Sequence, residues 1–94
     1  MLVILANMKV KEGKADEFEA LVRDLAASVR QDEPGNKMYT LNKTDNGEYV
    51  FIEQYDDAAA FKAHSSSAHF KAAFGTMGGL LDGMPVIQQL TEIV

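Results

Sequence analysis

The chain reads as β-α-β-β-α-α-β. That order predicts an α+β fold, a ferredoxin-like sandwich with one antiparallel sheet and its helices on one face. Three observations carry the prediction. Leu2, Ile4, Ala6, Met8 and Val10 alternate with their neighbours as a half-buried strand does. Ala15, Phe18, Val22, Leu25 and Val29 recur at helical spacing, with Leu21 and Ala26 widening the stripe. Asn46-Gly47 separates two strand-like runs and is a strong hairpin signal.

In chain order, the first strand spans 2–10. Its second face, Val3, Leu5, Asn7 and Lys9, is apolar at one end, which is unusual for a face left in water. Glu12-Gly13-Lys14 introduces the first helix. Asp16, Glu17 and Glu19 suit its early turns, Arg30 suits its end, and Pro34-Gly35 stops it. Strands follow at 37–43 and 48–55. In the second of these, Tyr49, Phe51, Glu53 and Tyr55 share one face, and Val50, Ile52 and Gln54 share the other. Both faces are apolar enough to predict cover on both sides. Asp56-Asp57 caps a short helix over 58–64. Ser65-Ser66-Ser67 breaks it and caps another, with Phe70, Phe74, Met77 and Leu81 on one side. A last strand covers 86–94. Helices on one face leave the other sheet face bare. Val3, Leu5, Phe51 and Tyr55 are expected there, and a homodimer joined through this sheet face would cover them.

The 94 residues predict one domain over 1–94. The absence of cysteine excludes disulfides, a thiolate nucleophile and cysteine metal ligands. With a net charge of −5 and basic residues scattered singly, neither nucleic acid nor an anionic membrane is an expected partner. The apolar start, about eight residues long, is too short to span a bilayer and lacks a signal-peptide layout. A cytoplasmic location is expected.

Four stretches resemble the antibiotic biosynthesis monooxygenase (ABM) domain family, in order and along nearly the whole chain. They are Glu33-Pro34-Gly35, Tyr39-Thr40-Leu41, Phe51-Ile52-Glu53-Gln54-Tyr55 and His64-Ser65-Ser66-Ser67-Ala68-His69-Phe70. Tyr55 stands where many relatives have tryptophan. The resemblance implies a dimeric α/β barrel. It also implies a cofactor-independent monooxygenase that oxidises a quinol or polyphenol with molecular oxygen. Two alternatives accompany it: an isomerase of a small phosphorylated signalling metabolite, and a non-catalytic dimeric protein that binds a small aromatic or metabolite ligand.

An oxygenase without flavin or metal needs an apolar pocket, a base for the phenol, and donors that stabilise developing charge. His64 is the first candidate for the base, since imidazole accepts a proton near neutral pH. Asn7 and Tyr55 are candidates to orient the substrate. Glu53, His69, Phe70, Phe74 and Met77 are candidate pocket residues. No cofactor is expected, because Gly78-Gly79 does not follow a strand as a dinucleotide loop would. No metal is expected either: His64 and His69 stand five apart across a helix break, with no third ligand at a diagnostic spacing. Haem degradation fits poorly. By the resemblance, the tryptophan and the histidine iron ligand of the haem-degrading relatives fall on His64 and Phe74. Their asparagine falls on Ala6 rather than Asn7.

Overall fold

A computed structural model describes residues 1–94. The elements are β1 (Leu2–Met8), α1 (Ala15–Asp32), β2 (Asn36–Lys43), β3 (Tyr49–Tyr55), α2 (Ala58–Ser66), α3 (Ala68–Met77) and β4 (Val86–Thr91). The sheet runs β2-β3-β1-β4 and every pairing is antiparallel. This is the split β-α-β arrangement of the ferredoxin-like α+β sandwich.

Residues opposed across antiparallel strands point to the same face. Leu2 pairs with Tyr55, Ile4 with Glu53, Ala6 with Phe51 and Met8 with Tyr49. Tyr39 and Leu41 join this set from β2. Phe18, Val22, Leu25, Ala26 and Val29 of α1 pack into the same core. The opposite face carries Val3, Leu5 and Asn7 of β1, flanked by Gln54, Ile52 and Val50 on one side and by Leu90, Gln88 and Val86 on the other. Phe51 and Tyr55 therefore do not share the open face with Val3 and Leu5, as the sequence suggested. They lie under the helices, and Tyr55 is fully buried. Glu53 is buried there too. The strand alternation was read correctly. The pairing register, which decides which alternate set meets the helices, is not local information.

Two turns shape the chain around the sheet, and the second of them lies at the site. At 44–47, the Thr44 N–H donates to the Glu48 carbonyl and the Gly47 N–H to the Thr44 carbonyl. Gly47 holds a φ of +86°, a conformation glycine adopts without Cβ strain. At the end of α1, Pro34 disfavours helical geometry for the residue before it. Glu33 accordingly leaves the helix at φ −119° and ψ 87°, while its N–H still donates to the Val29 carbonyl. Beyond it, a Cβ on Gly35 would stand 2.6 Å from the Ala60 Cβ. Glycine at 35 thus lets α2 press directly against this turn.

The later helices depart from the expected stripe. Ala73 and Met77 are the buried residues of α3, while Phe74 is 40% exposed. Leu80 and Leu81 then close the core, with Leu81 bridged to Val10. No helix is long and apolar enough to cross a membrane.

Candidate functional site

Glu33 brings the two histidines together. Its carboxylate receives His64 Nδ1 at 3.0 Å on Oε1 and 2.9 Å on Oε2, and His69 Nε2 at 2.5 Å on Oε2. An ionised carboxylate only accepts hydrogen bonds. The contacts therefore assign a proton to Nδ1 of His64 and to Nε2 of His69. The neutral His64 ring then carries its lone pair on Nε2. Each partner is placed by a local device. Glu33 is turned out of α1 by Pro34. His64 lies in the last turn of α2, where Ser67 Oγ donates to its carbonyl at 2.6 Å. The same hydroxyl oxygen accepts the Phe70 N–H at 3.2 Å, so one serine ends α2 and starts α3. His69 follows in the first turn of α3.

The His64 ring is enclosed by aromatic rings. Phe70 lies at 4.8 Å between centroids, Tyr39 at 5.3 Å, Tyr55 at 5.5 Å and Phe61 at 6.3 Å. Only 2% of the side chain is exposed. Burial pushes the His64 pKa below its ordinary value, against the pull of the Glu33 hydrogen bond and charge. Phe70 also stacks on Phe74 at 5.3 Å and 14°, so a column of rings leads from the exposed Phe74 to His64. His69 remains one-fifth exposed.

A second pair sits beside the first. The Tyr55 hydroxyl donates to Glu53 Oε1 at 2.7 Å. Burial raises the Glu53 pKa to about 7; the Tyr55 hydrogen bond lowers it and the Glu33 charge adds to the rise. Burial, reinforced by the Glu53 charge, pushes the Tyr55 hydroxyl well above its usual range. Tyr39 is pushed up in the same way, again chiefly by burial.

His64, Tyr55, Glu53, His69 and Phe70 thus share one region, with Phe74 at its outer edge. Met77 is buried in the main core. Asn7 is elsewhere: it is exposed on the opposite sheet face, beside a small groove with Lys9, Glu48 and Asp82. Adjacent β1 residues point to opposite faces, so Asn7 cannot meet His64 while Ala6 packs in the core. Sequence reading assigned Glu33 no role. The available cue was a carboxylate directly before the helix-stopping Pro34-Gly35.

The surface grooves have other linings. A groove of about 480 Å³ between α1 and the edge strand β2 is lined by Arg23, Arg30, Lys43, Tyr39 and Tyr49 among others. A smaller one, of about 200 Å³, reaches Glu33 and His69 past Asp32, Gly35, Ala60 and Ser67. The Glu33, His64 and His69 donors lie within 4.8 Å of one another, which makes them the group that could hold a metal ion.

The family profile for antibiotic biosynthesis monooxygenase matches residues 1–76. The chain belongs to the ABM family. Among ABM-like relatives, "Putative monooxygenase YcnE" of Bacillus subtilis (strain 168) is 34% identical over 95 residues, covering 99% of this chain and 98% of that protein. A crystal structure described as a putative antibiotic biosynthesis monooxygenase from Caulobacter crescentus CB15 superimposes with a TM-score of 0.95 at 38% identity, covering 99% of this chain and 90% of that one. PA3566 from Pseudomonas aeruginosa superimposes with a TM-score of 0.87 at 29% identity, over 99% and 94% of the two chains. The ABM match includes Glu33, both histidines and the Glu53–Tyr55 pair, and ends before β4.

Proposed function

We propose that the protein is a cofactor-independent monooxygenase that oxidises a quinol or polyphenol with molecular oxygen. The observation that carries this reading is the hydrogen bond from His64 Nδ1 to Glu33. A carboxylate behind an imidazole fixes its tautomer and stabilises the imidazolium formed when the ring takes a proton. His64 Nε2 is then the proton acceptor for a bound phenol. The phenolate is electron-rich enough to pass electrons to dioxygen. One oxygen atom enters the ring and the other leaves as water; a hydroquinone plus dioxygen gives a hydroxyquinone plus water. The aromatic column Phe74–Phe70–His64 supports an aromatic substrate, which would stack in place of Phe70 or Phe74 as they rotate aside. Tyr55 would orient it.

Membership of the ABM family and the monooxygenase names of two relatives support the reaction class. Oxygen uptake on adding an electron-rich hydroquinone, above autoxidation, tests it. With isotopically labelled dioxygen, one labelled atom should appear in the quinone product.

The close packing around His64 favours a second reading, a non-catalytic protein that binds a small ligand on the same scaffold. Uptake at the autoxidation rate would select it. The phosphometabolite isomerase gains less support: Lys37 pairs with Asp56 at 3.7 Å, and Lys62 and Lys71 are exposed.

The working unit we propose is a homodimer joined through the open sheet face. Val3, Leu5, Val50 and Ile52 are half-buried there, and Val86 and Leu90 are exposed. An apolar sheet face of this extent suits a self-complementary interface.

A further inference from the structure

We infer that Glu33, His64 and His69 form a binding site for one first-row divalent transition-metal ion such as Zn²⁺ or Co²⁺. The sequence lacks a third ligand near the two histidines, but the fold supplies one from thirty-one positions upstream of His64. Two imidazole nitrogens and a carboxylate are the donor set of many zinc sites with an open fourth position, and of facial-triad iron sites. No two of the three donor atoms are more than 4.8 Å apart. Around a tetrahedral ion with bonds of 2.0–2.1 Å, donors stand about 3.3 Å apart. The 2.5 and 2.9 Å contacts at Oε2 must therefore open slightly to admit the ion.

A second observation points the same way. Glu33 is mostly buried, at 9% exposed, and its side chain pairs with no lysine or arginine; its partners are the two imidazoles. Its charge also bears on the buried Glu53. A divalent ion would neutralise this charge where the fold places no cationic side chain. The route in is the groove of about 200 Å³ that reaches Glu33 and His69 from solvent, with Asp32 on its wall. Binding needs the lone pairs of His64 Nδ1 and His69 Nε2, so each neutral ring carries its proton on its other nitrogen once the ion is held. It also replaces Glu33 as the partner of His64 Nδ1.

The inference does not rest on the oxygenase reading. Its test is a titration of the chelator-treated full chain with Co²⁺, followed by the visible absorption of bound cobalt, and then displacement by Zn²⁺. One equivalent should bind per chain and raise the melting temperature. Glu33→Gln and His69→Ala should each weaken binding at least tenfold, with folding checked by circular dichroism. Asp45→Asn, a change in the distant hairpin, should bind as the wild type does. Absence of saturable binding at one equivalent overturns the inference. So does wild-type affinity in either folded site variant. No substrate is present, so this result and the oxygen-uptake result stand or fall separately.

Discussion

Glu33 and His64 meet at 2.9 Å although Glu33 directly follows α1 and His64 lies in the last turn of α2, beyond the β2–β3 hairpin in the chain. The contact ties the end of α1 to the end of α2 and, through His69, to the start of α3. Three helix ends converge on one carboxylate. The same contact gives His64 a fixed tautomer, so helix placement and proposed chemistry share one bond.

The approach of α2 to the 33–36 turn depends on Gly35. Gly35→Ala should destabilise the fold by about 1–3 kcal/mol, the usual cost of overpacking, because the new methyl meets the Ala60 Cβ at 2.6 Å. Urea denaturation measures it. Adding Ala60→Gly should recover part of the loss, despite the cost of about 1 kcal/mol for glycine within a helix. Strict additivity of the two changes would show that they do not touch.

Glu53 should make stability fall as pH rises. Its folded pKa of about 7 exceeds the ordinary 4.5, so between these values the folded state holds a proton that the unfolded state has lost. The contribution is fully present below about pH 4.5 and is lost as pH rises through 7. At 1.36 kcal/mol per pH unit, the difference amounts to about 3 kcal/mol. Glu53→Gln keeps an acceptor for the Tyr55 hydroxyl and cannot ionise. It should be more stable than the wild type at pH 8 and close to it at pH 5, measured by urea midpoints.

Tyr55→Phe removes the donor to Glu53 Oε1 and leaves that buried oxygen without its partner. A loss of about 1–3 kcal/mol is expected. The loss should be larger at pH 8 than at pH 5, because the ionised carboxylate needs the donor more.

The open sheet face should hold two chains together. Leu5→Asp or Ile52→Asp puts a charge at the centre of that face without entering the helix-side core. Light scattering at micromolar concentration should give twice the chain mass for the wild type and one chain mass for each variant. A wild-type monomer would remove the dimer from the account.

Most of the fold was legible because its signals are local. The Phe18–Val29 stripe, the Asn46-Gly47 hairpin and the Ser67 break each carry their own period or turn chemistry, and each element formed within a few residues of its expected bounds. The misreadings share a cause. Tyr55 and Phe51 were placed on the open face because alternation divides a strand into two sets without saying which set meets the helices. The Leu2–Tyr55 pairing decides that. Glu33 enters the sequence reading only within the family-like stretch Glu33-Pro34-Gly35, because its partners lie thirty-one and thirty-six positions away. Phe74 is expected with Met77 on one side of α3, yet the buried line of that helix runs through Ala73 and Met77 and leaves Phe74 at the outer edge of the aromatic column. Asn7 was grouped with His64 on chemistry alone, and the pleat of β1 separates them.

Glu33-backed His64 is the proposed proton acceptor for oxidation of a phenolic substrate. Initial oxygen uptake with an electron-rich hydroquinone tests it most directly, in the wild type, Glu33→Gln and His64→Ala, each confirmed folded. A positioned general base contributes roughly 10²–10⁴-fold. Wild-type uptake should stand well above autoxidation, fall at least tenfold in Glu33→Gln, and drop to background in His64→Ala. Equal rates in the wild type and folded His64→Ala would contradict it.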